Sequence, residues 1–247
     1  MCQAFSCIVT KQGKVYYKVG IDSHDLILDK FKIRDMDDEI NKERLKFARV
    51  EITPDDGYLY PEGNWTLKID ERIKPGWWSK SHEVKSYKAL EKWMTKVYSI
   101  MNLEEARNPI NPLLLPMLEV TPTDIENLHK WASVGDSVWN SVRNSVRNSV
   151  RNSVGDSVWN SVWDSVWASV GASVWNSVWA SVGASVGAYT GGLFSIREWK
   201  YTKHKPNEYP FQSCVDLWKR GFVPSFDGKT WKLHTGKDAK VVYELEV

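Results

Sequence analysis

Long hydrophobic runs are missing from this chain of 247 residues, and cysteine is scarce. Because no stretch of 18 consecutive apolar residues occurs, the sequence predicts no membrane-spanning helix. The three cysteines, Cys2, Cys7 and Cys214, are too few and too scattered for a disulfide framework. The first residues also lack the basic, apolar and small-residue regions of a secretory signal. Together these absences favour a cytoplasmic protein.

An excess of either charge is missing as well, since 33 lysines and arginines nearly balance 31 acidic residues. Proteins that gain affinity by neutralising phosphates usually carry clustered positive charge. Nucleic acid or a nucleotide is therefore disfavoured as a partner, although it stays open as an alternative. The five histidines are dispersed and form no metal-ligand spacing such as CxxC or HExxH. We accordingly expect no metal and no cofactor.

A four-residue repeat dominates the middle of the chain. Residues 132–187 are 14 uninterrupted copies of the unit [A/N/D]-Ser-Val-[W/R/G], and residues 188–191 are a decayed copy. We call residues 132–191 the array. Its third position is always valine: Val134, Val138, Val142, Val146, Val150, Val154, Val158, Val162, Val166, Val170, Val174, Val178, Val182 and Val186.

The period of four argues against one long helix. An α-helix turns by about 100° per residue, so successive units drift by about 40° and no single face stays buried. Serine, valine, asparagine, aspartate and glycine are also weak helix formers. In extended chain, by contrast, every unit returns to the same two faces. The sequence therefore predicts a β-solenoid of short stacked sides with the valines as its core.

The array resembles the pentapeptide-repeat proteins, although its period is four and valine stands where that family prefers leucine or phenylalanine. The resemblance implies a β-helix with valine inside and the fourth position of each unit facing outward. The whole chain, with Met-Cys-Gln-Ala-Phe-Ser-Cys at its start and Val-Pro-Ser-Phe-Asp-Gly-Lys-Thr-Trp near its end, is also similar to uncharacterised proteins of bacteriophages and uncultured bacteria. That second resemblance implies no known activity.

The flanks of the array contain strand and helix patterns of their own. A hairpin is predicted around Gln12-Gly13, a helix after Ser23, strands at 47–52 and 65–70, a helix near 87–101 and a second hairpin around Asp227-Gly228. The predicted fold class is an α+β N-terminal domain, an all-β solenoid and a small β-rich C-terminal cap. Its four parts are an α+β domain at 1–120, a capping helix at 121–131, the solenoid at 132–191 and a β-hairpin cap at 192–247.

The fourth position of the array is the strongest functional signal. Aromatic rings interleaved with guanidinium groups suit stacking against a partner, and an exposed apolar surface of this size usually marks a contact. Stacked side chains that only stabilise the array are the competing interpretation. We predict a non-enzymatic binding or scaffolding protein whose partner is a second copy, as a homodimer, or another protein. The predicted surface is Trp139, Arg143, Arg147, Arg151, Trp159, Trp163, Trp167, Trp175 and Trp179.

Two further sites are weaker alternatives. Cys2 would carry a thiol and a free α-amine once the initiator methionine is removed, which is the arrangement of amidohydrolases with an N-terminal nucleophile. The array would then be a spacer or an oligomerisation element, but no general base for Cys2 is identified. The loop from Asp70 to Trp78 mixes acids, bases and two tryptophans, and it suits either a small ligand or a salt-bridged loop above the core.

Overall fold

The computed structural model of the protein describes residues 5–35, 45–57, 62–135, 139–171, 174, 182–199, 202 and 204–246. The chain forms two compact units. The first unit consists of residues 1–100 and 151–161, and the second of residues 101–150 and 162–247. Among the described residues, no helix is both long and apolar enough to cross a membrane.

The first unit is built on an antiparallel sheet in the order β2-β1-β3-β4. Its strands are β1 (Phe5–Thr10), β2 (Val15–Tyr16), β3 (Phe47–Pro54) and β4 (Trp65–Ile69). The unit also contains helix α1 (His24–Phe31) and helix α2 (Lys80–Tyr98), which pack on the sheet.

The two helices cover opposite faces of this sheet, because side chains alternate along a strand. Phe5 of β1 packs edge-on against Trp93 of α2, with ring centroids 5.8 Å apart. Ile8 of the same strand lies in the other cluster, together with Ile27 and Leu28 of α1. The first unit is therefore a helix–sheet–helix layer structure.

The second unit combines helices with a three-stranded antiparallel sheet in the order β5-β6-β7. Aromatic pairs hold its core: Tyr189 stacks on Trp218 at 5.1 Å, and Trp131 meets Phe211 edge-on at 6.2 Å. Its elements outside the array are α3 (Leu103–Arg107), a 3₁₀ turn (Pro112–Leu114), α4 (Pro122–Gly135), α8 (Gln212–Lys219), β5 (Val223–Phe226), β6 (Thr230–Thr235) and β7 (Lys240–Glu246).

The array is helical, so the predicted β-solenoid, the predicted fold class and the resemblance to pentapeptide-repeat proteins are wrong. In the described residues it forms the end of α4, then α5 (Trp139–Val154), α6 (Asp156–Val166), a π-helical turn (Trp167–Gly171) and α7 (Val182–Gly192). Neither sheet of the described chain includes an array residue.

Valine burial is nevertheless the organising feature of the helical array. Eleven valines of the third position are at most 5% exposed: Val142, Val146, Val150, Val154, Val158, Val162, Val166, Val170, Val174, Val182 and Val186. Val134 is half-buried, whereas Val138 and Val178 lie outside the described residues. Burial of these side chains supplies the free energy that offsets the weak helix propensity of the repeat.

Breaks in the helix explain how a period of four keeps its valines buried. The four valines of α5 spread over about 120° and the three of α6 over about 80°, which an ordinary apolar helix face accommodates. Gly155, at a φ of +105°, separates these two helices, and the π turn follows α6. A π turn needs more residues than an α turn, so it rotates the stripe against the drift. The argument for a solenoid assumed one continuous helix.

Candidate metal centre

Three side chains of the first unit converge on the sheet face that carries α1. Glu51 is on β3 between Val50 and Ile52, whose side chains are fully buried on the opposite face. Asp70 directly follows β4, and His24 is the first residue of α1. We call His24, Glu51 and Asp70 the acid–histidine centre.

The ligand atoms of this centre are close enough to share one ion. One nitrogen of His24 and one carboxylate oxygen each of Glu51 and Asp70 all lie within 4.8 Å of one another. Nδ1 of His24 is 3.5 Å from Oδ2 of Asp70, which is longer than an ordinary N–H···O hydrogen bond. The centre therefore gathers three metal-binding groups without tightly bonding them to each other.

The other ring nitrogen of His24 orients the imidazole. Nε2 lies 3.2 Å from the carbonyl oxygen of Val50, and since a carbonyl only accepts, we assign the ring proton to Nε2. In the neutral ring Nδ1 then carries the lone pair, on the side of the ring near Asp70. A histidine that donates one N–H to a backbone carbonyl and directs its other nitrogen at carboxylates has the usual arrangement of a metal ligand.

The distance between His24 and Asp70 is compatible with a tetrahedral ion. Ligands at zinc distances of about 2.1 Å and tetrahedral angles are separated from one another by about 3.4 Å. The distance of 3.5 Å between His24 and Asp70 matches such an edge. The side chain of His24 is 5% exposed and that of Asp70 is 48% exposed. The centre is thus buried on one side and accessible to solvent on the other.

An ion-pair network lies beside the centre. Arg49, on the same face of β3 as Glu51, donates through its guanidinium to Glu71 at 3.2 and 3.3 Å and also contacts Asp35. Lys68 lies directly opposite Glu51 in the register of β3 and β4, on the same face of the sheet.

The loop before α1 is anchored at Asp22. Its backbone oxygen accepts a hydrogen bond of 2.8 Å from the hydroxyl of Ser6 on β1. Its carboxylate accepts hydrogen bonds from the backbone N–H and the hydroxyl of Ser157, in the array portion of the first unit. These contacts fix the approach to His24, because only Ser23 lies between Asp22 and that ligand.

Sequence reasoning did not find this centre. His24, Glu51 and Asp70 come from three distant segments, and only the pairing of β3 with β4 and the packing of α1 unite them. The loop beginning at Asp70 was predicted as a possible ligand site, and Asp70 does belong to the centre. Trp78 is 9% exposed, and Trp77 donates from its indole N–H to the carbonyl of Leu45 at 2.6 Å.

The predicted tryptophan and arginine surface is only partly described. Trp159 is 3% exposed, whereas Trp163 and Trp167 are half-buried and stack on each other with centroids 5.8 Å apart. Arg147 is exposed, and Arg151 pairs with Asp156. The side chains of Trp139, Arg143, Trp175 and Trp179 lie outside the described residues.

The three cysteines are also only partly described. Cys2 lies outside the described residues, so its role as a nucleophile stays a prediction. Cys7 and Cys214 are fully buried, and burial raises the pKa of both thiols far above the ordinary value. Neither of these two thiols is suited to nucleophilic chemistry.

A serine–histidine pair in the second unit was also missed by sequence reasoning. The hydroxyl of Ser225 lies 2.7 Å from Nε2 of His234, whose Nδ1 lies 2.9 Å from the carbonyl of Ala239. Both side chains are nearly buried, at 5% and 8% exposure. The pair therefore satisfies buried polar groups and offers little access to a substrate.

Comparison with protein families, curated proteins and solved structures finds no match to this chain. The function of the acid–histidine centre is therefore inferred from its geometry alone.

Proposed function

We propose that the protein binds a divalent transition-metal ion through His24, Glu51 and Asp70. The observation that carries the proposal is the position of His24, whose Nδ1 lies 3.5 Å from Asp70 while Nε2 is held by Val50, with Glu51 in the same cluster of ligand atoms. The alternative is a protonated His24 paired with Asp70. Such a pair, at 3.5 Å, is a structural contact that needs no ion, so it predicts no metal binding in the titration described below.

The ligand set favours zinc and its chemical neighbours. One imidazole nitrogen and two carboxylate oxygens suit Zn²⁺, Mn²⁺ or Fe²⁺, whereas Ca²⁺ and Mg²⁺ prefer oxygen ligands alone and in larger number. Structural zinc sites are usually closed by four protein ligands. Three ligands with a solvent-exposed side indicate a site at which the ion retains an exchangeable position.

Calorimetric titration with Zn²⁺ tests the proposal on the full-length protein. We expect one ion per chain, and we expect His24→Asn, Glu51→Gln or Asp70→Asn to weaken binding at least tenfold. Asp70→Asn is the most informative of the three, because its half-exposed side chain is the least needed for folding. His82→Gln serves as the control, since His82 is a buried histidine of the same unit that bonds Ser79 and Lys11 outside the centre. Equal binding by the wild type and Asp70→Asn, or no binding by the wild type, would reject the proposal.

A second candidate function is self-association through the array. The stacked, half-buried rings of Trp163 and Trp167 and the exposed charge of Arg147 support it, because arginine and tryptophan from two copies form favourable cation–π contacts. Light scattering of the wild-type protein should then give the mass of a dimer. The double variant Trp163→Ser, Trp167→Ser and the exposed charge reversal Arg147→Glu should both yield monomers, whereas Asn144→Ser should not. A monomeric wild type, or an unchanged mass in both variants, contradicts this function.

A further inference from the structure

We infer that the ion at the acid–histidine centre holds a small oxyanion, such as a phosphate or carboxylate group, with Lys68 as the second contact. This inference rests on the proposed metal binding and names the class of ligand that completes the site.

Lys68 is placed on the correct face by the register of the sheet. Glu51 of β3 and Lys68 of β4 are direct partners in the antiparallel pairing. Directly opposed residues project their side chains to the same face with Cβ atoms about 4.5–5.5 Å apart. The side chain of Lys68 is therefore long enough for its ammonium to approach an ion that is held by Glu51.

The charge of Lys68 is available for a ligand. Lys68 is exposed, and within the described part of the chain it forms no ion pair. Arg49, a second cation on this face, is instead engaged by Glu71 and Asp35. Among the described residues, Lys68 is thus a cation beside the centre that is available to an incoming anion.

The coordination number leaves room for that anion. Three protein ligands leave one position on a tetrahedral ion. The half-exposed side chain of Asp70 indicates that the site is open to solvent on that side. One oxyanion can contact the metal ion and the ammonium of Lys68 together, so that its negative charge lies between the two positive charges. Lysine commonly binds phosphate as a point charge.

A competing role for Lys68 is to neutralise Glu51 while no ion is bound. The two roles differ in what the removal of Lys68 changes. As a counter-ion of Glu51, Lys68 competes with the metal, so its loss would tighten metal binding. As an anion contact, its loss weakens oxyanion binding to the loaded protein and has little effect on the metal.

Cobalt-loaded protein provides the test, because the visible absorption of Co²⁺ reports on its fourth ligand. Inorganic phosphate and acetate are titrated separately into wild type, Lys68→Met and Lys88→Met, the last being an exposed lysine of α2 on the other side of the sheet. We expect at least one of the two anions to change the spectrum of the wild type and of Lys88→Met. Its apparent Kd should rise about tenfold in Lys68→Met, while Co²⁺ affinity changes less than threefold. The stronger of the two anions identifies the preferred group.

The outcomes separate this inference from the function on which it rests. If Co²⁺ binds but neither anion changes the spectrum, the oxyanion site is rejected and metal binding stands. Unchanged anion affinity in Lys68→Met, or tighter Co²⁺ binding in that variant, rejects the role of Lys68. If Co²⁺ and Zn²⁺ both fail to bind, the proposed function is rejected together with this inference.

Discussion

The carboxylate of Asp22 caps the beginning of α6 through two hydrogen bonds to Ser157, 3.0 Å from the backbone N–H and 2.9 Å from the hydroxyl. The first N–H groups of a helix have no partner within the helix, and an anion at that end also interacts favourably with the helix dipole. A loop that precedes α1 thereby provides the cap for a helix of the array.

Removal of this cap should destabilise the protein. We expect Asp22→Ala to lower the free energy of unfolding by about 1–2 kcal/mol, because it leaves N–H groups of α6 without an acceptor. The midpoint of urea unfolding measures the change. Asp238→Ala, an exposed residue of the β6–β7 turn, is the matched control and should have little effect. Equal midpoints for the two variants would show that the cap contributes nothing.

Two glycines of the array should respond to alanine in opposite directions. Gly155 has a φ of +105°, which an L-residue adopts only with strain, so Gly155→Ala should cost at least about 1 kcal/mol. Gly183 is in helix α7 with open space around it, so Gly183→Ala should stabilise the protein by about 0.5–1 kcal/mol. Thermal unfolding followed by circular dichroism distinguishes them. A loss of stability in both variants would contradict the open space at Gly183.

The buried pair of Ser225 and His234 makes stability depend on pH. Burial lowers the pKa of His234 below its ordinary value of 6.5. Between this lowered pKa and pH 6.5, the unfolded chain therefore binds more protons than the folded chain. The contribution of His234 is therefore complete above pH 6.5 and is lost progressively as the pH falls toward its lower folded-state pKa. Urea unfolding at pH 7.5 and pH 5.5 should show a smaller decrease in His234→Gln than in the wild type. An identical decrease would exclude His234 as a cause.

Thiol reactivity tests the burial of the two described cysteines. In a Cys2→Ser variant, Cys7 and Cys214 should react with a disulfide reagent only after denaturation, because both thiols are fully buried and their pKa values are raised. Absorbance of the released thiolate gives the count. Fast reaction of either thiol in the native variant would contradict the packing of β1 or of α8.

Sequence patterns located the elements outside the array well. The hairpin predicted around Asp227-Gly228 is formed by β5 and β6, and α1 begins directly after Ser23 as predicted, although the Ser23 side chain makes no capping hydrogen bond. These are local signals of turn and cap chemistry, which survive without tertiary context. The capping helix predicted at 121–131 begins at Pro122 and continues to Gly135, and its reciprocal cap is formed by Thr121 and Asp124.

Sequence reasoning failed at the array and at the acid–histidine centre for a different reason, because both depend on tertiary structure. The drift of the valine stripe applies within each helix, but the sequence does not show which of its glycines ends a helix or where a π turn forms, and in the structure these are Gly155 and Trp167–Gly171. The acid–histidine centre likewise requires the register that places Glu51 opposite Lys68 and brings Asp70 toward His24. No spacing along the chain encodes that proximity.

The interrupted helices limit how the copy number of the tetrapeptide can evolve. Duplication of two units inside α5 would spread six valines over about 200°, so that some would point into solvent. Deletion of a unit narrows the same arc, but it also shortens the helix by about 6 Å and turns its end by about 40°. Insertions therefore need a new glycine or a new π turn, and contractions need the following helix to adjust to the shorter one.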